Sequence, residues 1–472
     1  DSNSDEHYLQ HCCHACHLPL KSALTPFFFK TKARWSPLLY RLLQILYSAL
    51  FLLLPFSISY DFNAHQVNLP SEPLMLLVAV VAIGWFGLHG LWPKSYYQAS
   101  LALASMALLL IFGFSTVFST APLVSIKYSF ITVLHWWVFF HSIPLLFDQK
   151  LHSLPRLVVL YTGSFVLVLF YAWYQHAQYD FRIDASVLTA RPFYFDHALY
   201  SCVILLLIGP LLAYAKLIRV KVMQIILLLV ALLLLTGLYL SFSRAAWLSA
   251  LLSTVLLAFI VLLKLRFWHL LSFGGLAFIL LYFGQPFLLQ QLQYNETSSK
   301  SESQSEHLRS AFNITTNVSN LERINRYSCA WRMFLDKPNT GFGPGTFQFA
   351  YFSYQLPEQM TPISVTKPGR HRPGKGGGAH SEYLQALSEM GWPGLVAWLT
   401  LLLAIFWSGL QVYYSNSPHW ITLFSLAILF GLTTYFVHGL VNNFLHQGKL
   451  AALFWLHLAL LHWLHSSHKS YR

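Results

Sequence analysis

The chain has 472 residues, of which 56% are hydrophobic, 17% are aromatic and only 10% are charged. An ordinary soluble domain carries about 25% charged residues, and even a domain of about 300 residues buries only about three quarters of its surface. The composition therefore excludes a soluble enzyme, a disordered scaffold and an outer-membrane barrel. The net charge of +13 comes from Lys and Arg in short clusters between apolar runs, a pattern of membrane topology rather than of nucleic-acid binding.

Apolar runs recur along the whole chain, and each is long enough to cross a hydrocarbon core as a helix of about 20 residues. The pattern predicts an all-α polytopic membrane protein with about twelve transmembrane helices. We place them at residues 38–58, 73–92, 97–118, 123–147, 156–176, 198–214, 221–241, 243–264, 268–290, 392–413, 420–438 and 449–465. The remaining segments are an N-terminal segment 1–37, a long polar loop 291–391 and a tail 466–472.

The distribution of Lys and Arg among the loops predicts how these helices are oriented in the membrane. Short loops on one side carry Lys94, Lys150 and Lys216, whereas the short loops on the other side hold few Lys or Arg. Because cytoplasmic loops are enriched in Lys and Arg, we predict both chain ends in the cytoplasm and residues 291–391 on the outer face. A loop of this length is usually functional or disordered.

One part of the long loop has helical periodicity. The stretch NLERINRYSCAWRMFLDKP predicts a helix that ends at Pro338. Its predicted apolar side consists of Leu321, Ile324, Tyr327, Cys329 and Trp331.

Arg244, in the stretch SFSRAAW, is the most informative single residue. It joins two apolar runs with no loop to carry it away from the membrane. An arginine at this depth is costly and usually faces a cavity or a partner. We interpret it as an anion clamp just under the outer surface; the alternative is an interfacial arginine that extends to lipid phosphate.

A glycine-rich stretch, GFGPGTFQFAY, follows at 341–351. Its tight turn, with Gly343 and Gly345, presents backbone N–H groups that are able to hold an anion. Gly-Pro clusters are also ordinary turn signals, so this stretch alone is weak evidence of a site.

The segment GKGGGAHSEYLQALSEMGWPGL delivers His380 to a predicted helix start. Ser381 suits the N-terminal cap, and the helix is predicted to stop at Gly391 before the next span. A histidine at the boundary of water and membrane is a candidate general base near neutral pH. The chain has 22 histidines, and a lone histidine is more often structural.

Two further polar clusters are predicted on the same face. The loop before the sixth span contributes Arg191, Asp196 and His197, and the stretch HGLVNNFLHQGK contributes His438, Asn442, Asn443 and His446. Polar groups from four distant segments thus meet outside, which is the main indication of a site.

These motifs, in order, resemble the signature of the O-antigen ligase and O-antigen polymerase superfamily. The resemblance rests on SFSRAAW, the NLERINR segment, GFGPGTF and HSEYLQALSEMGWPGL, and covers about 190–450. Family members take a glycan from undecaprenyl pyrophosphate at the outer face of the bacterial inner membrane. The resemblance thus implies a GT-C-like transferase that faces the periplasm.

The resemblance also implies roles for particular residues. His380 matches the catalytic histidine, Arg244 and one of Arg323 or Arg326 match the pyrophosphate ligands, and Arg191 resembles a further family arginine. Supporting residues are Ser381, Glu382, Tyr383, Gly343, Gly345 and His438. Ser381 stands where Asn is commoner in the family.

Elementary chemistry agrees with these roles. Guanidinium groups match phosphate oxygens in pairs and stay charged, so they are suited to a pyrophosphate leaving group. The sequence has no Asp-x-Asp motif or carboxylate cluster for a divalent metal, and we expect neither metal nor cofactor. A single displacement, with His380 as the base, inverts the anomeric centre.

Within the superfamily the ligase activity is favoured, with lipid A core as acceptor. A polymerase, which extends another glycan, and a protein O-oligosaccharyltransferase remain alternatives. A lipid or glycan transporter is the alternative from another class, although broken helices and paired repeats are not evident. The expected partners are the lipid-linked glycan donor, the glycan acceptor and membrane lipids.

The N-terminal stretch HCCHACH (11–17) contains three histidines and three cysteines. It suggests zinc binding or palmitoylation, but the ligands are too crowded for the usual zinc-finger spacing.

Overall fold

The structure, a computed structural model, describes residues 36–62, 65–149, 153–276, 306, 309–310, 313, 315–361 and 377–468. The stretch HCCHACH lies outside these residues. The long helices are α1 (Ser36–Leu53), α2 (Ser71–His89), α3 (Ser100–Val117), α4 (Pro122–His135), α5 (Ser153–Ala177), α6 (His197–Leu217), α7 (Lys221–Leu240), α8 (Arg244–Leu262), α9 (Val318–Asp336), α10 (Glu382–Tyr413), α11 (His419–His438) and α12 (Gly448–His468). Helix α4 continues through a π-helical segment, Trp136–Ser142, into Pro144–Gln149.

Ten helical stretches among the described residues are long and apolar enough to cross a membrane. They comprise α1 to α8, α10 and α11, with α1 and α4 extended by the helical turns that follow them. Each overlaps a predicted span, so the all-α polytopic class is confirmed. The ninth predicted span, 268–290, begins within helical residues 267–276, and its remainder lies outside the described residues.

The twelfth predicted span corresponds to α12, which is more polar than the ten. It is enclosed by α10, α11 and the π-helical segment, and most of its side chains are buried. A histidine is tolerated there because it bonds within the protein: the ring nitrogens of His457 lie 2.7 Å and 2.9 Å from the carbonyl oxygens of Leu453 and Leu206.

One β-hairpin, which the sequence pattern did not lead us to predict, follows α1. Strand β1 (Ile58–Phe62) pairs antiparallel with β2 (His65–Leu69), and Ile58 lies opposite Leu69. Alternation of apolar and polar residues in ISYDF is the signal that was available.

Helix α10 bends at Gly391, where the sequence predicted a stop. The backbone of Gly391 is left-handed, with φ of 67°, and a Cβ atom there would lie 2.3 Å from the carbonyl oxygen of Pro338. Only glycine fits this bend without strain. The bend separates the short N-terminal part of α10 from the part that follows Pro393.

Helix α9 is present as predicted, but the apolar side predicted for it is not its buried face, apart from Cys329. The buried residues are Glu322, Asn325, Arg326, Cys329, Ala330 and Met333, whereas Trp331 is exposed. The reason is a buried ion pair between Glu322 and Arg326, one helical turn apart. This pair lets polar residues occupy the packed face.

Successive spans reverse direction, which brings several helix ends together at one end of the bundle. The end of α3 meets the glycine-rich stretch, since the Thr120 N–H donates to the carbonyl of Phe342 at 2.9 Å. The start of α10 meets the end of α11, since the Glu382 N–H donates to the carbonyl of Gly439 at 2.8 Å. We call this the site end; α9 packs against α10 there.

Candidate functional site at one end of the bundle

The start of α9 is anchored by asparagine side chains. Asn317 caps the helix by accepting bonds from the N–H groups of Ser319 and Asn320, at 3.1 Å and 3.4 Å. The Nδ2 atoms of Asn317 and Asn320 both donate to the carbonyl of Ser310, at 3.2 Å and 3.1 Å. Ser310 is therefore held in a fixed position next to the start of α9.

Arg244 reaches this anchored position from the first turn of α8. Ser243 caps α8 by accepting a bond from the Ala246 N–H at 3.4 Å. The half-buried Arg244 guanidinium donates from Nη1 to the hydroxyl of Ser310. The side chain thus contacts protein at the site end, as the anion-clamp interpretation requires.

Arg323 lies on α9 close enough to Arg244 for their charges to repel each other. It donates from Nη1 to the Ser319 hydroxyl at 3.1 Å and to Oδ1 of Asn320 at 3.2 Å. Its Nε donates to the Val441 carbonyl at 3.4 Å. Among the described residues no carboxylate lies within ion-pair distance of Arg323, and burial lowers its pKa.

Arg326, one turn further along α9, is in a different environment. Its Nε donates to Oε1 of Glu322 at 2.7 Å, and its Nη1 donates to the Gly378 carbonyl at 2.8 Å. The guanidinium carbon lies 4.8 Å from the ring centre of Tyr351. Glu322 also accepts a 2.6 Å bond from the Thr361 hydroxyl. Arg326 is therefore committed to a buried ion pair and to the backbone just before His380.

His380 is held by its backbone, and its ring has no hydrogen bond among the described residues. Its N–H donates to Oδ1 of Asn443 at 3.0 Å, and its carbonyl accepts a 3.3 Å bond from the Tyr327 hydroxyl. These bonds fix a left-handed backbone with φ of 56°, rare for a residue with a side chain. Burial, followed by the charges of Arg326 and Arg323, lowers the pKa of His380 to about 3.

The three residues after His380 are engaged in holding α10. Ser381 is the predicted N-cap and accepts a bond from the Leu384 N–H at 3.4 Å. Tyr383 donates to the Phe436 carbonyl at 3.1 Å. Buried Glu382 accepts bonds from the Tyr435 hydroxyl at 2.7 Å and from the backbone N–H groups of Phe444 and Leu445 at 2.7 Å and 2.8 Å.

The glycine turn, residues 341–347, holds a carboxyl group through its backbone amides, and that group belongs to this chain. Buried Glu389 accepts bonds from the N–H groups of Gly345 and Phe347, both at 2.9 Å. Gly343 and Gly345 have φ of 107° and 77°, and a Cβ on Gly343 would lie 2.2 Å from the Ser119 hydroxyl oxygen. These two amides are thus occupied, and the glycines serve close packing.

A hydrogen-bonded chain that sequence reasoning missed joins the glycine turn to His380. Gln385 donates to Glu389 at 2.6 Å and accepts bonds from the Ala379 N–H at 2.7 Å and from Nδ2 of Asn443 at 3.3 Å. Asn443 in turn accepts the His380 N–H. The available signal was the spacing of Glu382, Gln385 and Glu389, which share one helix face.

A second turn at the site end, residues 438–445, follows α11; we call it the His438 corner. His438 is 1% exposed, and neither ring nitrogen has a hydrogen-bond partner among the described residues. The same holds for Nδ2 of Asn442, whose side chain is also buried. Arg323 bonds to this corner through the Val441 carbonyl.

Arg191 is not brought to these groups by any contact among the described residues. It is exposed, donates from Nε to the Phe195 carbonyl at 3.0 Å and lies over the Phe195 ring at 5.4 Å. Asp196 caps α6 by accepting the Leu199 N–H at 2.9 Å. His197 does approach the site end, since its Nδ1 lies 2.6 Å from the Ser241 carbonyl oxygen.

The described residues contain no group of three or more His, Cys, Asp or Glu side chains that could hold a metal ion. What they do contain is a pair of neighbouring arginines beside a histidine with an unbonded ring. Fold and site together define a polytopic membrane protein with a cationic site at one end of its helical bundle.

Residues 227–399 match the family described as O-antigen ligase. The matched segment includes Arg244, Arg323 and His380 and ends before the His438 corner. Over this segment the chain is similar to that family, in agreement with the resemblance noted in the sequence. No curated protein and no solved structure matches the chain significantly.

Proposed function

We propose that this protein transfers a glycan from undecaprenyl pyrophosphate to an acceptor hydroxyl at the periplasmic face of a bacterial inner membrane. The observation that carries the proposal is the meeting of Arg244, Arg323 and His380 from three distant segments. Arg244 bonds to Ser310, whose carbonyl accepts from Asn320, and Asn320 in turn accepts from Arg323. Tyr327, one helical turn after Arg323, donates to the His380 carbonyl. Two neighbouring cations next to an imidazole that has no hydrogen bond among the described residues suit a diphosphate leaving group and a proton acceptor.

The donor diphosphate is assigned to Arg244 and Arg323, and not to Arg326. Arg323 bonds only to neutral oxygens among the described residues, at 3.1–3.4 Å. A diphosphate would replace these bonds by shorter, charge-assisted ones. Arg326 would have to leave Glu322 uncompensated in a buried position, which is strongly unfavourable.

The reaction is a single displacement at the anomeric carbon of the donor glycan. The acceptor oxygen attacks C1 and gives its proton to a ring nitrogen of His380. The bond between C1 and the phosphate oxygen breaks, and the diphosphate keeps the electron pair. Arg244 and Arg323 stabilise the charge that develops on that oxygen. Attack from the side opposite the leaving group inverts the anomeric configuration.

The low pKa of His380 fits this sequence of events. In the free protein the charges of Arg326 and Arg323, added to burial, keep the ring neutral and hence able to accept a proton. A bound diphosphate compensates positive charge next to the ring, which raises the pKa of His380 and makes it a stronger base. The base is thereby strengthened when the donor is in place.

Ligase activity, with lipid A core as acceptor, is favoured over polymerase and protein O-oligosaccharyltransferase activity by the description of the matching family. Deletion of the gene followed by analysis of envelope lipids distinguishes the three. Polymer retained on the carrier, with none on lipid A core, indicates a ligase. Single repeat units on the core indicate a polymerase. Intact lipopolysaccharide with missing protein glycans indicates an oligosaccharyltransferase.

The clamp is tested with Arg244→Lys in purified protein and a lipid-diphosphate glycan donor. Lysine keeps the charge but is a point donor and cannot bind a phosphate through two parallel bonds. We expect transfer to fall by about 10-fold or more, the equivalent of one good charge-assisted bond. Wild-type rates in this variant, at normal protein yield, would contradict the clamp.

A further inference from the structure

The His438 corner contains buried polar groups that the fold itself does not use. His438 is 1% exposed, and Asn442, four residues later, is 5% exposed. Among the described residues, neither the ring nitrogens of His438 nor Nδ2 of Asn442 have a hydrogen-bond partner. Burying a polar group without a hydrogen bond is costly, so each such group in a native protein calls for an explanation.

The rest of the corner is well determined, so loose packing does not explain these groups. Glu382 fixes the backbone of Phe444 and Leu445. Asn443 is bonded through both side-chain atoms, to the His380 N–H and to Gln385. The ring of Phe444 packs edge-on against His438, with ring centres 5.6 Å apart. His438 and Asn442 therefore stand out within an otherwise satisfied turn.

The chemistry of the unpartnered atoms indicates the ligand. A neutral imidazole offers one donor and one acceptor, and the Asn442 amide nitrogen offers donors. An ionised diphosphate only accepts hydrogen bonds, so it would leave one nitrogen of His438 unpaired. A sugar hydroxyl both donates and accepts, and satisfies both kinds of atom.

The position of the corner places such a hydroxyl beside the diphosphate. Arg323 bonds to the Val441 carbonyl within the corner, and His438 lies within electrostatic range of Arg323. On the other side, the Tyr327 hydroxyl donates to both the His380 carbonyl, at 3.3 Å, and the Leu440 carbonyl, at 3.1 Å. The corner therefore adjoins both the proposed leaving-group site and the proposed base.

Resting on the proposed function, we infer that His438 and Asn442 form a subsite for a hydroxyl of a sugar that takes part in the transfer. The sugar belongs either to the donor, next to its diphosphate, or to the acceptor. In both cases a hydroxyl donates to the unprotonated ring nitrogen of His438 and accepts from Asn442, while the ring N–H donates to another oxygen of the same sugar. The two residues are positioning residues that orient the sugar toward His380.

The first experiment separates the sugar from the diphosphate. Wild type and His438→Leu are titrated with undecaprenyl diphosphate and with the same lipid carrying one N-acetylglucosamine. In wild type the sugar should strengthen binding. If the subsite binds the donor sugar, this gain should fall by about 10-fold in His438→Leu, as expected for lost hydrogen bonds. Both proteins should bind the lipid without sugar equally well.

Two further variants control for packing. His141→Leu removes another buried histidine, 2% exposed with both ring nitrogens unpartnered among the described residues, near the opposite end of the bundle; it should leave both affinities unchanged. His438→Gln, which retains a donor and an acceptor, should restore part of the sugar gain. His438→Leu should melt at the wild-type temperature or above, because it removes unpartnered polar atoms. A large fall in its melting temperature together with an unchanged sugar gain would show a structural role and overturn the inference.

A transfer assay then distinguishes the two sources of the sugar. If the donor-sugar gain persists in His438→Leu but the KM for the acceptor glycan rises about 10-fold, the subsite binds the acceptor. If neither the sugar gain nor the acceptor KM changes, the inference is wrong. Failure of wild type to bind undecaprenyl diphosphate would instead contradict the proposed function itself.

Discussion

The glycine turn and the His438 corner are two turns at the same end of the molecule, and both are tied to α10 by a buried glutamate. In the glycine turn, Glu389 fills the backbone amides of Gly345 and Phe347. In the His438 corner, Glu382 bonds the backbone of Phe444 and Leu445, but the ring nitrogens of His438 and Nδ2 of Asn442 have no partner among the described residues. A side chain of the protein thus occupies the amides of one turn, whereas the other turn keeps buried side-chain nitrogens unpaired within this part of the chain.

The comparison shows that the glycine turn, the more obvious motif in the sequence, has fewer polar groups available to a ligand than the His438 corner. A glycine-rich turn is able to hold an anion, yet here its amides hold the carboxyl group of Glu389 and the turn serves to position α10. The side chains that we propose for substrate binding have neighbours of the same charge, or have no partner among the described residues. His380 lies between the two turns, linked to both through Asn443 and Gln385.

The largest effect on transfer is expected from substitution of His380, which lies between the two turns. His380→Gln keeps a polar side chain but removes the base, and transfer should fall by about 10²- to 10⁴-fold. The backbone bonds of residue 380 are retained, so the melting temperature should stay close to that of wild type. Initial rates with a lipid-diphosphate donor, together with a thermal melt, measure both. Near-normal transfer would remove His380 from the reaction.

Arg323 and Arg326 provide a matched pair on one helix. Arg326→Met leaves Glu322 buried without its partner and should cost about 3–5 kcal/mol of folding free energy. Arg323→Met breaks only bonds to neutral groups and should change stability little, while transfer falls by about 10²- to 10³-fold. Denaturant melts and rates of both variants give the comparison. If Arg323→Met lost stability and Arg326→Met lost only transfer, the roles assigned to the two arginines would have to be exchanged.

Substitution of Glu389 and of Glu382 tests the glycine turn against the His438 corner. Glu389→Gln and Glu382→Gln each replace a carboxyl oxygen that accepts backbone N–H bonds, and each should cost about 1–3 kcal/mol of stability. Only Glu382→Gln loosens the His438 corner, so only this variant should also raise the KM for the sugar that the corner binds. Equal KM values in the two variants would show that the corner is not set by Glu382.

A smaller effect is expected in the pH dependence. Protonation of His380 removes the base, so activity falls as the pH drops through its pKa. In the free protein that pKa is about 3, so kcat/KM should be flat between about pH 5 and 8. The kcat profile reports the donor complex, where the diphosphate raises the pKa, and its acid limb should lie at higher pH. The prediction would be contradicted if kcat/KM of wild type fell on the acid side with a midpoint at about pH 6.5 and kcat/KM of Arg323→Met showed no such fall.

Much of the fold was predictable because the bilayer imposes a strict rule. A segment in lipid must pair its own backbone hydrogen-bonding groups and expose apolar side chains, so transmembrane helices can be recognised in the sequence as apolar runs. The predicted cap at Ser381 and the bend at Gly391 were equally local, since they depend on a few neighbouring residues. The buried face of α9 was not predictable by apolarity, because the Glu322–Arg326 pair makes polar positions the buried ones.

The sequence by itself determined the membrane class, the extent of most helices and the small set of polar residues that meet at one end. Tertiary structure decided which of those residues are free to act. It committed Arg326 to Glu322 and the glycine turn to Glu389, and it left Arg323 with neutral partners. The physical reason is that a side chain's availability depends on the partners that distant segments bring to it, and no local pattern records those partners.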